Sequence, residues 1–272
     1  MRRFENRVAV VTGAASGIGR ATAMALSREG CHLALVDIKA EPLEETRTLC
    51  RADRHVSTHV VNVADKAAMQ QLASDVAREH GGTHVLVNNA GVAVGASFME
   101  QSLEDFEWLM GINFWGVVYG CKFFLPQLLE ADEAHIVNIS SVFGLQGVPM
   151  NSSYCASKFA VRGLSESLRT ELVETRVGVT CVHPGGVATN IVKDARFVEP
   201  EGMSGVRERT IESFKKMLPP ERAAQDILRG IKKNAPRVLV TREAYAIDWI
   251  KRALPDLSTT LVAKNWKRMP GI

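Results

Sequence analysis

Short runs of Val, Ile and Leu alternate with longer segments at helical spacing along most of this chain, an order that calls for parallel strands joined by crossover helices. The runs lie at 7–12, 32–37, 55–61, 84–88, 135–140, 178–182 and 237–240, so about seven strands are predicted. Helices are predicted at 17–29, 66–80, 103–129 and 154–175. In the first of these, Ile18, Ala21 and Ala25 recur on one face, as suits a helix pressed onto a sheet. The expected class is α/β, a doubly wound parallel sheet with helices on both faces.

No linker, repeat or low-complexity stretch divides the 272 residues, and one domain is expected. The one long connection is 183–236, whose 54 residues exceed the usual span between elements. Helical patterns at 208–218 and 221–233, with Pro200, Gly202 and Gly205 as hinge candidates, read as a lid over about 190–220. A helical tail is expected over 243–272.

The 33 Lys and Arg against 30 Asp and Glu leave a formal charge of +3, too small and too interspersed for a nucleic-acid partner. Five scattered cysteines, without a C-x-x-C pair, read as reduced thiols of a cytoplasmic protein. The first apolar run is soon broken by Gly13, so no export signal is expected. Residues 112–129 carry Asn113, Lys122, Pro126 and Gln127 and are not expected to span a membrane.

Directly after the first predicted strand stands Thr12-Gly13-Ala14-Ala15-Ser16-Gly17-Ile18-Gly19, and a helical pattern follows at once. Glycines here bring backbone N–H groups up to a pyrophosphate, whose charge the positive end of the helix dipole favours. Gly13, Ser16, Gly17, Ile18 and Gly19 are the expected contacts of such a Rossmann-type turn. Asp37 closes the second strand 18 residues after Gly19, placed to accept hydrogen bonds from both hydroxyls of an adenosine ribose. A methyltransferase holding its adenosine cofactor would share both features. A carboxylate at the ribose repels the 2′-phosphate of NADP, so NAD is the expected dinucleotide; nearby Arg20 and Lys39 keep NADP as the alternative.

Tyr154 and Lys158 lie four residues apart at the start of a predicted helix, on one face. A phenol is a poor base at neutral pH, but a neighbouring cation favours the phenolate, and an oxidised nicotinamide brings a second positive charge. Ser141 stands 13 residues earlier at the end of the fifth strand, on the edge where doubly wound sheets place their ligands.

The turn spacing G-x-x-x-G-x-G, Ser141 and Tyr154-Cys155-Ala156-Ser157-Lys158 together resemble the short-chain dehydrogenase/reductase family, from Arg7 to about Val240. The resemblance implies Tyr154 as acid/base, Ser141 as hydrogen-bond partner of the substrate oxygen, and Lys158 as ribose anchor and pKa modifier. Asn113, in Gly111-Ile112-Asn113-Phe114-Trp115-Gly116, matches the family's fourth residue, implied to distort its helix and hold a water that relays protons through Lys158. Asn89, Ala90 and Gly91 are implied to line the cofactor. Asn62-Val63 falls where many members carry Asp-Val beside the adenine, although a strand-end turn explains Asn62 equally well. Pro184, Gly185, Val187 and Thr189 complete the implied cofactor set. Neither Ser16 nor Ile38 is the Arg or Lys that NADP-preferring members often carry there, which again favours NAD.

The implied activity is NAD-dependent interconversion of a secondary alcohol and a ketone, without metal. An NADP-dependent carbonyl reductase is the alternative within the family. A catalytically silent NAD(H) sensor is the alternative outside it, and the complete Ser, Tyr and Lys set argues against that. Val92, Val94, Phe143, Leu145, Val148, Met150, Ile191, Val192, Phe197, Met203 and Phe214 suit a lid over an apolar substrate, and equally the packing of the insertion onto the sheet. The helices at 103–129 and 154–175 resemble those that pair copies in this family, so a homodimer or homotetramer is implied. His55 and His59 lack a third ligand in the sequence and read as surface or packing residues. The apolar pattern at 243–254 and the basic Lys264, Lys267 and Arg268 are expected to dock on the lid or a neighbouring subunit and not on a membrane.

Overall fold

Residues 1, 3–198 and 205–265 are described by a computed structural model. The first half runs β1 (Val8–Thr12), α1 (Gly17–Arg28), β2 (His32–Asp37), α2 (Ala40–Thr48), β3 (Val56–Val60), α3 (Lys66–His80), β4 (Val85–Asn88), β5 (Val94–Gly95), α4 (Leu103–Met110) and α5 (Gly116–Glu130). The second runs β6 (Ala134–Ile139), α6 (Ser152–Glu171), β7 (Val177–His183), β8 (Arg196–Phe197), α7 (Val206–Lys215), α8 (Pro220–Lys232), β9 (Arg237–Leu239), α9 (Arg242–Ala253) and α10 (Pro255–Asn265). Seven of these strands form one parallel sheet in the order β3-β2-β1-β4-β6-β7-β9, as the alternating pattern predicts.

Side chains leave a strand alternately on its two faces, and both faces here are covered. Ala9, Val11, Leu33 and Leu35 point to one side, where they pack with Leu26 of α1 and with Ile227 and Ile231 of α8. Val8, Val10, Ala34 and Val36 point to the other, toward Met69 and Leu72 of α3, Phe124 and Leu128 of α5, and Val161 of α6. The result is a three-layer stack with β1 at its centre, fully buried from end to end.

Three features go beyond the apolar pattern of the sequence. The helix α2 goes unpredicted because it buries only Leu43 and Thr46, so no apolar stripe marks it. The long helix at 103–130 is continuous but widens into one π-helical turn at Gly111–Trp115 between α4 and α5. This run is long and apolar enough to cross a membrane, yet Val117, Cys121, Phe124 and Leu128 bury one face of it in the sheet core. The C-terminal helix α9 packs Ala244 and Ile247 against Val142, Leu145 and Leu239, and leaves Tyr245 and Trp249 on its outer face exposed.

The long connection after β7 forms β8, which pairs in parallel with β5 apart from the main sheet, then α7 and α8. Of the hinge candidates, Gly205 takes the left-handed conformation at φ +73°. Pro200, Gly202, Met203, Lys267 and Arg268 lie outside the described residues. All five cysteines are unpaired, and four of them are buried.

Candidate active site

The C-terminal ends of β1, β4, β6 and β7 meet at one edge of the sheet, and the residues singled out by the sequence collect there. At the end of β1 the chain turns through Gly13 with φ +66°, a conformation that favours glycine. A Cβ on Gly13 would lie 2.7 Å from Asn89 Nδ2, and one on Gly19 only 2.0 Å from the Gly13 carbonyl oxygen. The Asn89 amide donates to the carbonyls of Thr12 (2.9 Å) and Gly13 (3.2 Å), while the backbone N–H groups of Asn89 and Ala90 donate to Thr12 Oγ1. The turn is thus clamped from the side by the end of β4. Ser16 precedes α1 without capping it through its side chain, and no acid stands in the first helical turn, so nothing there opposes an anion.

Asp37 accepts from the backbone N–H of Ala15 (3.0 Å) and of Lys39 (3.1 Å), which aims its carboxylate along the turn. The two cations that kept NADP open in the sequence are engaged elsewhere. Arg20 donates to Thr46 Oγ1 and to the carbonyls of Ala15 and Pro42, and pairs with Glu45. Lys39 Nζ lies 2.6 Å from Asp194 on the long connection. Asn62 Oδ1 accepts from Ala64 N, so its acceptor oxygen closes a turn; this is the turn reading of that residue, and Val63 beneath it is buried.

The catalytic candidates converge. Tyr154 sits in the first turn of α6 beside the Ser141 side chain, with the Phe143 ring edge-on at 6.1 Å. Ser141 in turn accepts from Phe143 N at the start of a short 3-10 turn, Val142–Gly144. Lys158 is 3% exposed and donates to the Ile139 carbonyl at 3.0 Å, its Nζ 5.6 Å from the centre of the Tyr154 ring. Asn113 is fully buried in the π-helical turn; its amide donates to the Val92 carbonyl and Ser157 Oγ, and its oxygen accepts from Val92 N. The local helix distortion implied for Asn113 is present. Gly91 lies between Asn113 and Lys158.

Burial sets the electrostatics. It pushes the Tyr154 phenol up to about 12, with the Ser141 hydrogen bond pulling the other way, and pushes Lys158 down to about 8. The phenol is therefore held neutral by the protein alone. The second positive charge expected from an oxidised nicotinamide is what would favour the phenolate here.

A family model described as short chain dehydrogenase matches residues 7–199, more than half of the chain. The chain belongs to the short-chain dehydrogenase/reductase family. The SadH protein of Mycobacterium tuberculosis is 41% identical over 269 residues, covering 97% of this chain and 96% of its own. The meso-2,3-butanediol dehydrogenase of Serratia marcescens is 36% identical over 189 residues, covering 70% and 74%. A crystal structure of a short chain dehydrogenase/reductase from Burkholderia phymatum in complex with NAD superimposes with a TM-score of 0.88 at 31% identity, covering 94% of this chain and 96% of that one. This short-chain dehydrogenase/reductase is accordingly an oxidoreductase of CH–OH groups with a nicotinamide cofactor. The N-terminus of α1, left uncapped by Ser16 and without an acid in its first turn, fits a dinucleotide pyrophosphate.

Several groups that shape the dehydrogenase site carry no motif. His183 is wholly buried and donates from Nδ1 to the Ser141 carbonyl. Glu243 of α9 accepts from Gly186 N at 3.2 Å, and Thr241 lies against Gly185, so the C-terminal helix supports the loop after β7. That loop continues through buried Val187 to Thr189, which lies over Gly17. Farther on, Arg196 stacks 3.7 Å above the Trp108 ring and pairs with Asp105. The only advance signal was the apolar or charged type of each residue, because partners 42 to 91 positions away in sequence are invisible until the sheet is built.

Proposed function

We propose that this protein is an NAD-dependent dehydrogenase that interconverts an apolar secondary alcohol and the corresponding ketone, with Tyr154 as acid/base. The observation that carries the proposal is the meeting of Tyr154, Ser141 and buried Lys158, whose Nζ lies 5.6 Å from the Tyr154 ring centre, at the sheet edge that also holds the glycine turn. NAD is favoured over NADP because Asp37 points along the turn while Arg20 and Lys39 are each engaged with other groups.

In alcohol oxidation the carbinol oxygen takes its place between Ser141 Oγ and the Tyr154 hydroxyl. A bound nicotinamide would supply the acceptor for the hydride of the carbinol carbon. Tyr154 as phenolate removes the hydroxyl proton, and Ser141 donates to the oxygen as its charge develops. Lys158 adds a positive charge beside the phenolate and holds the ribose, while Asn113 anchors the water through which the proton leaves. Reduction runs the same steps backwards, with the neutral phenol as proton donor.

Val92, Trp108, Val198 and Tyr154 pack on buried Val94, Ala96 and Leu109, which gives the substrate side an apolar wall. Leu145, by contrast, belongs to the packing under α9 and not to that wall. Along α5 and its preceding turn, Trp115, Tyr119 and Phe123 stack in series with Trp115 48% exposed, and on α6 Phe159 is 40% exposed. These faces suit pairing with a second copy in a homodimer or homotetramer. The unpaired cysteines suit a reducing cytoplasm.

The deciding experiment presents the purified protein with a panel of secondary alcohols plus NAD and of ketones plus NADH, following NADH absorbance. Turnover of apolar members is expected; cofactor binding without turnover of any member would leave a sensor and overturn the reading.

A further inference from the structure

The sequence offers His55 and His59 no third ligand, but the fold supplies two. Helix α3 returns from the nucleotide edge of the sheet to the opposite edge and ends in Glu79 and His80, beside His55 at the start of β3. His55 Nε2 lies 3.4 Å from one Glu79 oxygen, and the rings of His55 and His80 stack with centroids 4.3 Å apart. The ligating atoms of His55, Glu79 and His80 all fall within 4.8 Å of one another.

Those distances fit a tetrahedral ion. Bonds of about 2.1 Å to imidazole nitrogen and carboxylate oxygen put neighbouring ligand atoms about 3.4 Å apart. The His55–Glu79 separation already has that value. Stacked rings cannot aim their in-plane lone pairs at one ion, so binding requires His55, half-exposed with Glu79 at 39%, to turn off the His80 ring. A second observation points the same way. His80 shares Nε2 with Ser57 Oγ at 2.7 Å, while its Nδ1 is buried and has no hydrogen-bond partner among the described residues. A buried ring nitrogen without a partner calls for a ligand.

We propose that His55, Glu79 and His80 form a binding site for a divalent transition ion of the zinc class, with water in the fourth position. Two imidazoles and one carboxylate select such an ion over magnesium or calcium, which take oxygen ligands. The site joins the edge strand β3 to the C-terminus of α3, at the end of the sheet away from the glycine turn. Its role is structural: the ion pins the last turn of α3 to the edge strand.

Isothermal titration of the chelator-treated full-length protein with zinc chloride alone tests this. One ion per chain is expected, with a rise in melting temperature of about 5 °C at a hundredfold excess over the dissociation constant. Cobalt should give the intense visible absorption of a tetrahedral site. His55→Asn alters a half-exposed side chain that the fold does not need, and it should weaken zinc binding at least tenfold; Glu79→Gln should do the same. Dehydrogenase turnover should be equal with and without zinc. Binding unchanged in both variants, or no saturable binding to the unaltered protein, would overturn the proposal.

Discussion

His183 Nδ1 donates to the backbone carbonyl of Ser141 across 3.0 Å, from a ring with no exposed surface. Burial lowers this imidazole to about 4, so at neutral pH it is uncharged and its one proton stays on Nδ1, facing the carbonyl. The bond fixes the backbone that presents Ser141 Oγ to Tyr154. His183→Leu should therefore lower kcat about tenfold, or ~1.4 kcal/mol, with KM nearly unchanged. His183→Asn, whose amide can donate from a similar position, should recover most of it. Steady-state kinetics of both variants decide; an equal loss in the two would reduce His183 to a packing residue.

Tyr154→Phe removes the acid/base and should cut turnover by about 10²–10⁴. NAD affinity, read by fluorescence titration, should stay within about twofold, because the glycine turn, Asp37 and Lys158 are left in place. Near-normal turnover would transfer the role to another group.

The raised phenol dictates a pH dependence. With its folded value near 12, Tyr154 is protonated throughout the neutral range in the free protein. Ketone reduction, which uses the phenol, should hold level up to about pH 8, where Lys158 begins to lose its proton. Alcohol oxidation, which needs the phenolate, should rise with pH over the same interval. Paired pH–rate profiles check the sign, and oxidation that declines with rising pH would contradict it.

Cofactor choice rests on Asp37. Asp37→Ala with Ile38→Arg removes the repelling carboxylate and, at a position 62% exposed, adds a cation for a 2′-phosphate. The ratio of kcat/KM for NAD over NADP should fall by more than about tenfold, or ~1.4 kcal/mol. An unchanged ratio would show that the discrimination lies elsewhere.

Acid should unfold this protein early. Burial lowers His135 to about 3 and His183 to about 4, whereas both return to near 6.5 when unfolded. The unfolded chain then binds more protons between those limits, so stability is full above about pH 6.5 and is lost as pH falls toward 4. Melting temperatures measured down that range should drop steeply, and His135→Gln should flatten part of the fall.

The sheet was legible because its strands are buried on both faces and read as continuous apolar runs, of which Val8–Thr12 is the clearest. Gly13, Gly19, Ser141, Tyr154 and Lys158 were legible because each needs a special backbone or a fixed spacing. The short helix α2 was not, since two buried side chains leave no period to detect. Nor were His183, Glu243 and the His55–Glu79–His80 group. Their partners come from other elements, and single residues of common type give no local sign of a distant contact. The distortion at Asn113 is a third case: the family resemblance implies it and the apolar pattern around it does not, and in the π-helical turn its amide bonds the Val92 backbone.

The clamp that Asn89 and Thr12 place on the glycine turn bears on how a dinucleotide arrives. Ordering a loose loop at the moment of capture costs roughly 1–2 kcal/mol per residue. Here folding has already frozen the notch, so its shape exists before any phosphate enters and the entropy is not lost again. Encounter with such a stiff receptor proceeds in a single kinetic phase proportional to ligand concentration, with no slow isomerisation trailing it.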